Sequence, residues 1–578
     1  MKMNVFKNSI LKVKKDSILS MAFILCESGF EIFVPLIMSK LIDFGIEQGN
    51  MENVKRYGLM IIALVIGQAV CGALCAYFAV KASTMFAYDI RQNLFNKLQL
   101  FSFANIDKFS TGSLVTRSTT DIANIQRAFQ MVIRGMIRGI GMFIFSLSLS
   151  YSISVKIALI FTAIVPLIAG SLITISRLAM PIFEKMFGAF DSLNNIMSEN
   201  IHGIRVVKTF NRERFEFLKM KKSADDIYDY SVKAETYIAF WDPLMNLSMY
   251  AAIIFISWFG AKAIIASGNN PDIGLTTGKL MSLVTYGMQL LMSLMFMSMI
   301  YVMLIISSAS IERVKEVLEE EPSIKNCDNP VYDVKDGAIE FDNVSFKYKE
   351  DAKNRVLKDI NLKIKSGEMI GLIGGTGSGK SSFVNLIPRL YDVSAGELKV
   401  GGIDVKNYDI KSLRESIGIV LQKNVLFSGT IDSNLKLGNE HATLSDMTEA
   451  CEIACAMEFI EEKDGKFNAK VEQGGTNFSG GQKQRLSIAR TIVKKPKILI
   501  FDDSTSAVDT KTDAKIRDGL KNKLLNTTKI IISQRIISIK DCDKIIVMDN
   551  GKIVAFDTHE NLIKNCDLYK DINEVQNS

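Results

Sequence analysis

Six apolar stretches, near residues 17–42, 57–82, 130–152, 155–178, 239–265 and 277–308, crowd into the first part of the chain. Each reaches the roughly 20 residues that a helix needs to cross about 30 Å of hydrocarbon. Beyond them the sequence alternates short strand-like and helix-like runs with Gly-rich turns, the pattern of a soluble domain. A chain of 578 residues, 48% of them hydrophobic, suits a membrane protein with a large soluble part.

Charge fixes the orientation. The amino end, MKMNVFKNSILKVKKD, carries five lysines against one aspartate and is expected in the cytoplasm. An even number of crossings returns the chain there. The two longest loops, about 83–129 and 179–238, are rich in Lys and Arg and are expected on the same side. No small-residue cleavage site follows a short apolar core, so the first span reads as a retained helix. The net charge of +7 is accounted for largely by these cytoplasmic loops, and nucleic acid is not expected as a partner. Cys71/Cys75 and Cys451/Cys455 are helical i,i+4 pairs without a nearby His, which reads as apolar packing in a reducing compartment.

The soluble part opens after an acidic helix, IERVKEVLEEEPSI. Its strongest signal is GGTGSGKS, Gly374 to Ser381 (Gly374, Gly375, Thr376, Gly377, Ser378, Gly379, Lys380, Ser381), which follows the apolar strand MIGLIG and precedes the helical run SFVNLIPRL that begins at Ser382. That is the setting of a P-loop, in which glycines turn successive N–H groups toward phosphate and the next helix adds its positive end. Lys380 is expected to reach the β- and γ-phosphates, and Ser381 to help hold Mg²⁺. A second strand, KILIF, delivers Asp502, whose carboxylate suits the same ion. ATP and Mg²⁺ are therefore the expected cofactors. Between the two strands, NFSGGQKQR offers Ser479, Gly480, Gly481 and Gln482 at a helix start.

In this order and spacing the motifs make the chain resemble a half-size ABC exporter of the type IV fold, along nearly its whole length. The residues that carry the resemblance are GGTGSGKS, Gln422 in IVLQKN, FSGGQ, ILIFDD and SAVD. It implies a six-span helical membrane domain over 1–325, a linker over 326–336, and over 337–578 an α/β P-loop ATPase domain with an antiparallel β subdomain and a helical subdomain. It also implies that Tyr348 in FKYKED stacks on adenine, that Gln422 senses Mg²⁺ and the membrane domain, and that Asp509 faces a partner cassette. The loop segments TGSLVTRSTTDI and ENIHGIRVVKTF look like the coupling helices that rest on the cassettes. The implied location is the plasma membrane, with the ATPase domain in the cytoplasm.

Two positions depart from that family's pattern. Asp503 stands where Glu is usual and Gln534, in IISQR, stands where the switch His is usual. No glutamate occurs between Glu472 and Glu560, and the histidines are His202, His441 and His559, so no shifted alignment supplies either group. Aspartate is shorter than glutamate by one carbon–carbon bond, about 1.5 Å, and a displacement of about 1 Å costs about 10²-fold in rate. A glutamine amide donates a hydrogen bond but takes up no proton as an imidazole does. The expected result is a degenerate site that binds ATP and hydrolyses it slowly. Because such cassettes bind head to tail, the expected partner is a second half-transporter subunit that carries the missing Glu and His, whose site this chain's FSGGQ completes.

The cargo is less constrained. The sixth span holds Met281, Met288, Met292, Met295, Met297, Met299 and Met303, suited either to varied apolar ligands or to filling gaps against lipid. Glu27 and Glu31, one helical turn apart in the first span, either attract cationic amphiphiles or are buried structural acids. Asp242 is expected at the water interface. An amphiphilic small molecule, with membrane lipids as surroundings, is the expected cargo. A lipid flippase, a peptide exporter and a regulatory ATP sensor are the alternatives.

Overall fold

The computed structural model describes residues 4–269, 274–349, 352, 354–503 and 508–577, apart from the side chains of Ile306 and Asn577. Contacts divide the chain into two units, Met1–Gln99 with Gly112–Glu320, and Leu100–Thr111 with Glu321–Ser578.

The first unit is helical. Among the described residues six helical stretches are long and apolar enough to span a membrane: Lys14–Ile46, Met51–Gln99, Thr111–Ile153, Val155–His202, Glu213–Ser267 and Thr277–Glu319. The expected number is therefore present, but the segments 83–129 and 179–238, expected as loops, are mostly helix. Residues 83–99 and 213–239 contain neither Gly nor Pro, so nothing stops the helices where the apolar run ends. The helix Met51–Gln99 has 49 residues, and at about 1.5 Å per residue it extends well beyond about 30 Å of hydrocarbon.

Spans one and six are locked together by polar groups. The buried Asp43 accepts from the Gly278 amide at 2.8 Å and from Thr276 Oγ1 at 2.6 Å, which places a carboxylate at the start of the sixth-span helix. A Cβ on Gly278 would lie 2.6 Å from Asp43 Oδ1, so only glycine fits. One and two turns on, Ser282 Oγ donates to the Pro35 carbonyl and Tyr286 OH to that of Ile32.

Glu27 and Glu31 meet a residue that the sequence reading did not single out. Arg138, on the third span, pairs with Glu27 at 3.3 Å and with Glu31 at 2.8 Å. Glu27 is 6% exposed. Glu31 lies on the wall of a cavity of about 450 Å³ together with Arg138, Met288, Met292 and Met295. The two acids thus occupy different surroundings, one packed away and one facing space, while sharing one cation. Asp242 is exposed in the first turn of its helix.

The second unit is an α/β domain. Its strands are β1 (Ile339–Phe346), β2 (Leu357–Ile364), β3 (Met369–Gly374), β4 (Ala395–Val400), β5 (Ile403–Asp404) and β6 (Ile417–Val420). They continue as β7 (Gly429–Thr430), β8 (Lys470–Val471), β9 (Ile498–Asp502), β10 (Thr528–Ile532), β11 (Lys544–Asp549) and β12 (Lys552–Asp557). An antiparallel sheet runs β2-β1-β4-β5, and a larger one runs β12-β11-β3-β10-β9-β6. In the larger sheet β11, β3, β10, β9 and β6 are parallel. Continuous apolar runs such as ILIF suit strands covered on both faces, and β9 is buried along its length. Helices between β6 and β9, including Leu444–Ile453 and Gly480–Val493, form the helical part.

One piece of the first cytoplasmic loop belongs to this second unit. The helix Phe103–Phe109 starts with a Ser102/Asn105 capping box. Asn105 donates to the Glu321 carbonyl at 3.0 Å and accepts from the Ser323 amide at 3.0 Å. Tyr391 OH donates to Asp107 at 3.0 Å. The segment that joins the ATPase unit is thus the one just before TGSLVTRSTTDI, which, save for Thr111, belongs to the membrane unit.

Removing Arg138 leaves two carboxylates unpaired. Arg138→Leu is expected to cost about 3 kcal/mol, read as a lowered thermal midpoint of the purified protein in detergent. The triple change Glu27→Gln, Glu31→Gln and Arg138→Gln, which removes all three charges, is expected to recover most of that loss.

Candidate functional site

The larger sheet brings three strand ends together. Ile532 at the end of β10 lies opposite Leu372 of β3 on one side and Asp502 of β9 on the other. The loop after β3, the carboxylate that ends β9 and the residues after β10 therefore emerge at one edge, where open α/β sheets bind ligands.

After β3 the chain turns through Gly375, Thr376, Gly377, Ser378 and Gly379 into the helix Lys380–Leu386. Gly377 and Gly379 have φ of 81° and 97°, values that residues with a side chain rarely adopt. A Cβ on Gly374 would come within 2.2 Å of the Met548 carbonyl, so the loop's base passes too close to β11 for any side chain. Lys380 Nζ donates to the Gly374 and Gly375 carbonyls at 2.9 and 2.8 Å. Burial pushes the Lys380 ammonium down from the usual lysine range, although Asp502 and Asp503 oppose the shift. Ser381 Oγ donates to Asp502 Oδ1 at 3.1 Å. Burial pushes the Asp502 carboxyl up, with Asp503 adding to the effect, while Ser381 and Lys380 act against it. An ammonium, a hydroxyl and a buried carboxylate converging on a Gly-rich turn fit a magnesium–nucleotide phosphate group. The hydroxyl and carboxylate would supply oxygen ligands, and the ammonium and loop amides would be the phosphate donors.

Asp503 has φ of 47°, the left-handed region in which Asp is better tolerated than most residues. Burial raises its carboxyl too, against Lys380 and Arg535. Gln534 Nε2 lies 3.5 Å from Asp503 Oδ2, a long and weak hydrogen bond. The two substituted positions are therefore neighbours across the ends of β9 and β10. The described histidines lie elsewhere; His559, for one, is engaged with Tyr569 OH at 2.7 Å.

Tyr348 is half-exposed, with its hydroxyl 2.8 Å from Ser382 Oγ on the P-loop helix. Its ring stands edge-on to Phe346 at 4.9 Å and to Tyr391 at 5.1 Å. Tyr391 is the residue that also holds Asp107, so aromatic and hydrogen-bonded contacts run from the helix Phe103–Phe109 to the P-loop. Gln422 is exposed in the bend after β6, the edge strand beside β9.

Ser479 caps the helix Gly480–Val493, and a capping box joins it to Gln482. Gly480, exposed, and Gly481, half-buried, follow in the first turn. Phe478 is buried against Phe459, with the Lys463 ammonium 4.4 Å from its ring centre, which gives the aromatic residue a packing role. Asp509 caps the helix Thr510–Lys523 by accepting from the Thr512 amide at 2.9 Å. Ser506 and Ala507 of SAVD lie outside the described residues.

Gln576, near the end of the C-terminal helix Asp567–Asn577, was not expected here. Its amide donates to the Gln534 carbonyl at 2.6 Å and accepts from the Ile536 amide at 2.8 Å. One side chain thus clips both sides of the turn that carries Gln534. Arg138 carried a sequence signal, because an arginine within the third apolar stretch is as costly there as an acid. Gln576 and Tyr391 carried none.

The region 17–294 matches the family model described as the ABC transporter transmembrane region, and residues 357–506 match the one described as ABC transporter. Over 558 residues the chain is 32% identical to YfiB, an uncharacterized ABC transporter ATP-binding protein of Bacillus subtilis (strain 168), covering 96% of each chain. The chain belongs to the ABC transporter family. A second relative of this ABC transporter, an ATP-dependent lipid A-core flippase of Desulfotalea psychrophila, is 31% identical over 88% of this chain and 87% of its own. The fold matches a bacterial Atm1-family ABC exporter solved with ATP bound, at a TM-score of 0.84, covering 98% of this chain and 100% of that one, at 22% identity. The transporter is thus a multi-pass membrane protein with an ABC ATPase domain, which implies ATP binding, in keeping with the plasma membrane expected from its sequence.

Gln576→Ala is expected to free the turn after β10. Hydrogen exchange should speed up about tenfold at the Ile536 amide, the loss of about one hydrogen bond. The Ile532 amide, held in the β-ladder, should be unchanged.

Proposed function

We propose that this chain is one subunit of an ATP-driven heterodimeric ABC exporter whose own site binds ATP and hydrolyses it slowly. The reading rests on one observation: Asp503 and Gln534 sit side by side beside Lys380, where a long general base and a protonatable switch would act. The raised Asp503 carboxyl has basicity for the task but lacks reach, and Gln534 donates without accepting a proton. Lys380, Ser381 and Asp502, with Gln422, hold the phosphates and Mg²⁺, and Tyr348 packs on adenine. Ser479, Gly480, Gly481 and Gln482 complete the site of a partner that carries Glu and His, with Asp509 at that interface. In this reading the membrane domain runs over 1–325, the linker over 326–336 and the ATPase domain over 337–578, on the cytoplasmic side.

The cargo in this reading is an amphiphile taken from the cytoplasm or inner leaflet, for which the Met-lined cavity beside Glu31 gives support. Lipid translocation is the second reading, favoured by the likeness to a lipid A-core flippase. A regulatory ATP sensor would bind nucleotide without moving a labelled amphiphile in reconstituted vesicles.

Four outcomes test the slow site. Purified alone, the chain is expected to hydrolyse little ATP; brisk turnover overturns the assignment. In the complex, Gly480→Glu is expected to lower turnover by at least about 10²-fold, because it places a side chain and a negative charge where phosphate meets backbone donors. Lys380→Ala strikes the slow site and is expected to leave more turnover, and an equally deep loss refutes the asymmetry. Asp503→Glu with Gln534→His is expected to convert retained ATP to ADP, followed by site-resolved trapping.

A further inference from the structure

The cavity in the membrane unit has a charge and hydrogen-bond inventory that selects a ligand. Its walls combine Glu31 and Arg138 with Gln289, Ser293 and Thr285, and with the apolar Met142, Met288, Met292, Met295 and Phe296. Arg138 is shared between Glu31 and the buried Glu27, so two carboxylates face one guanidinium. Arg134, one turn earlier on the same helix, does not line the cavity. On the wall, the buried acceptor Gln289 Oε1 has no hydrogen-bond partner among the described residues; Glu27 Oε2, behind the wall, has none either. Unmet acceptors in apolar surroundings are costly, and a donor-bearing cation satisfies acceptor and charge together.

We propose that this cavity binds amphiphiles whose head group is a protonated amine or guanidine, with Glu31 and Gln289 accepting its N–H groups and the methionines contacting the tail. The specificity lies in donation as well as charge: a quaternary ammonium carries the charge but has no N–H to give. An anionic head group would instead take Arg138 from its two partners and leave both acids unpaired. Methionine side chains adapt to tails of differing shape, so selection falls on the head group. As a cargo site the cavity rests on the exporter reading, but ligand binding does not.

Equilibrium binding to the full-length chain in lipid nanodiscs, without ATP and with empty nanodiscs subtracted, tests the proposal. The probes are octylammonium, octyltrimethylammonium and octyl sulfate. Octylammonium is expected to bind about tenfold tighter than octyltrimethylammonium, with octyl sulfate weakest. Glu31→Gln and Gln289→Leu are each expected to erase that preference. Because Glu31→Gln disturbs the Arg138 ion pair, Gln289→Leu carries the test if the first variant folds poorly. Equal binding of the two cations overturns the proposal, as does tightest binding of octyl sulfate or a preference that survives both substitutions. Transport is not read, so failure of export leaves this result standing, and failure of binding leaves the exporter reading standing.

Discussion

Strand β10 lies between β3 and β9, and its parallel register with both sets the geometry of the ATPase half. With Ile532 level with Leu372 and with Asp502, the chain leaves β10 beside the P-loop and the Asp502 carboxylate together. A slip of one residue would turn every side chain of β10 to the other face of the sheet. Burial of all five residues of β10 specifies against such a slip. The P-loop turn, the Ser381–Asp502 hydrogen bond and the Gln534–Asp503 contact all follow from this one placement. Gln576 then fixes the turn from outside the sheet, so the last helix of the chain takes part in the geometry of the site.

In the membrane unit the comparable constraint is electrostatic. A carboxylate as buried as Glu27 is tolerated only with a partner, and Arg138 supplies it from another span. The same guanidinium reaches Glu31 at the cavity wall, so one cation ties a structural acid to an accessible one. Gly72 belongs to this arrangement: a Cβ there would lie 3.2 Å from Glu27 Oε2, leaving little room for anything larger than hydrogen. At the other end of the first span Asp43 does similar work by joining the start of the sixth helix. Spans one, three and six are thus held in place by polar groups that hydrocarbon would otherwise penalise.

Much of this was legible in the sequence, for a physical reason. Apolar length and the Gly-rich turn between strand and helix are local signals, so the six spans, the ABC fold and the neighbourhood of Lys380, Ser381 and Asp502 could be read residue by residue. What failed to show depends on pairs far apart in the chain. Arg138 meets Glu31 across 107 positions, Tyr391 meets Asp107 across 284, and Gln576 meets Gln534 across 42. The polar segments read as loops continue as helix because polarity alone does not end a helix. TGSLVTRSTTDI is singled out by the family resemblance alone, whereas the contacts of Phe103–Phe109 rest on a cap and on a tyrosine far away in the chain.

The proposed division between binding and hydrolysis has a structural basis in which groups depend on which. Lys380 is held by the carbonyls of its own loop and Ser381 by Asp502, contacts that involve neither Asp503 nor Gln534. The hydrogen bonds of the loop therefore do not run through those two positions, although the Asp503 charge acts on both Lys380 and Asp502. Asp503 stands on a left-handed turn, where a short acidic side chain is accommodated at little cost and a longer one gains reach at some strain. The Gln534 amide fills the neighbouring position with a donor whose charge is constant across physiological pH. In the proposed reading a site so built favours occupancy over turnover, and the first turn after Ser479, set on its own helix, would serve another subunit.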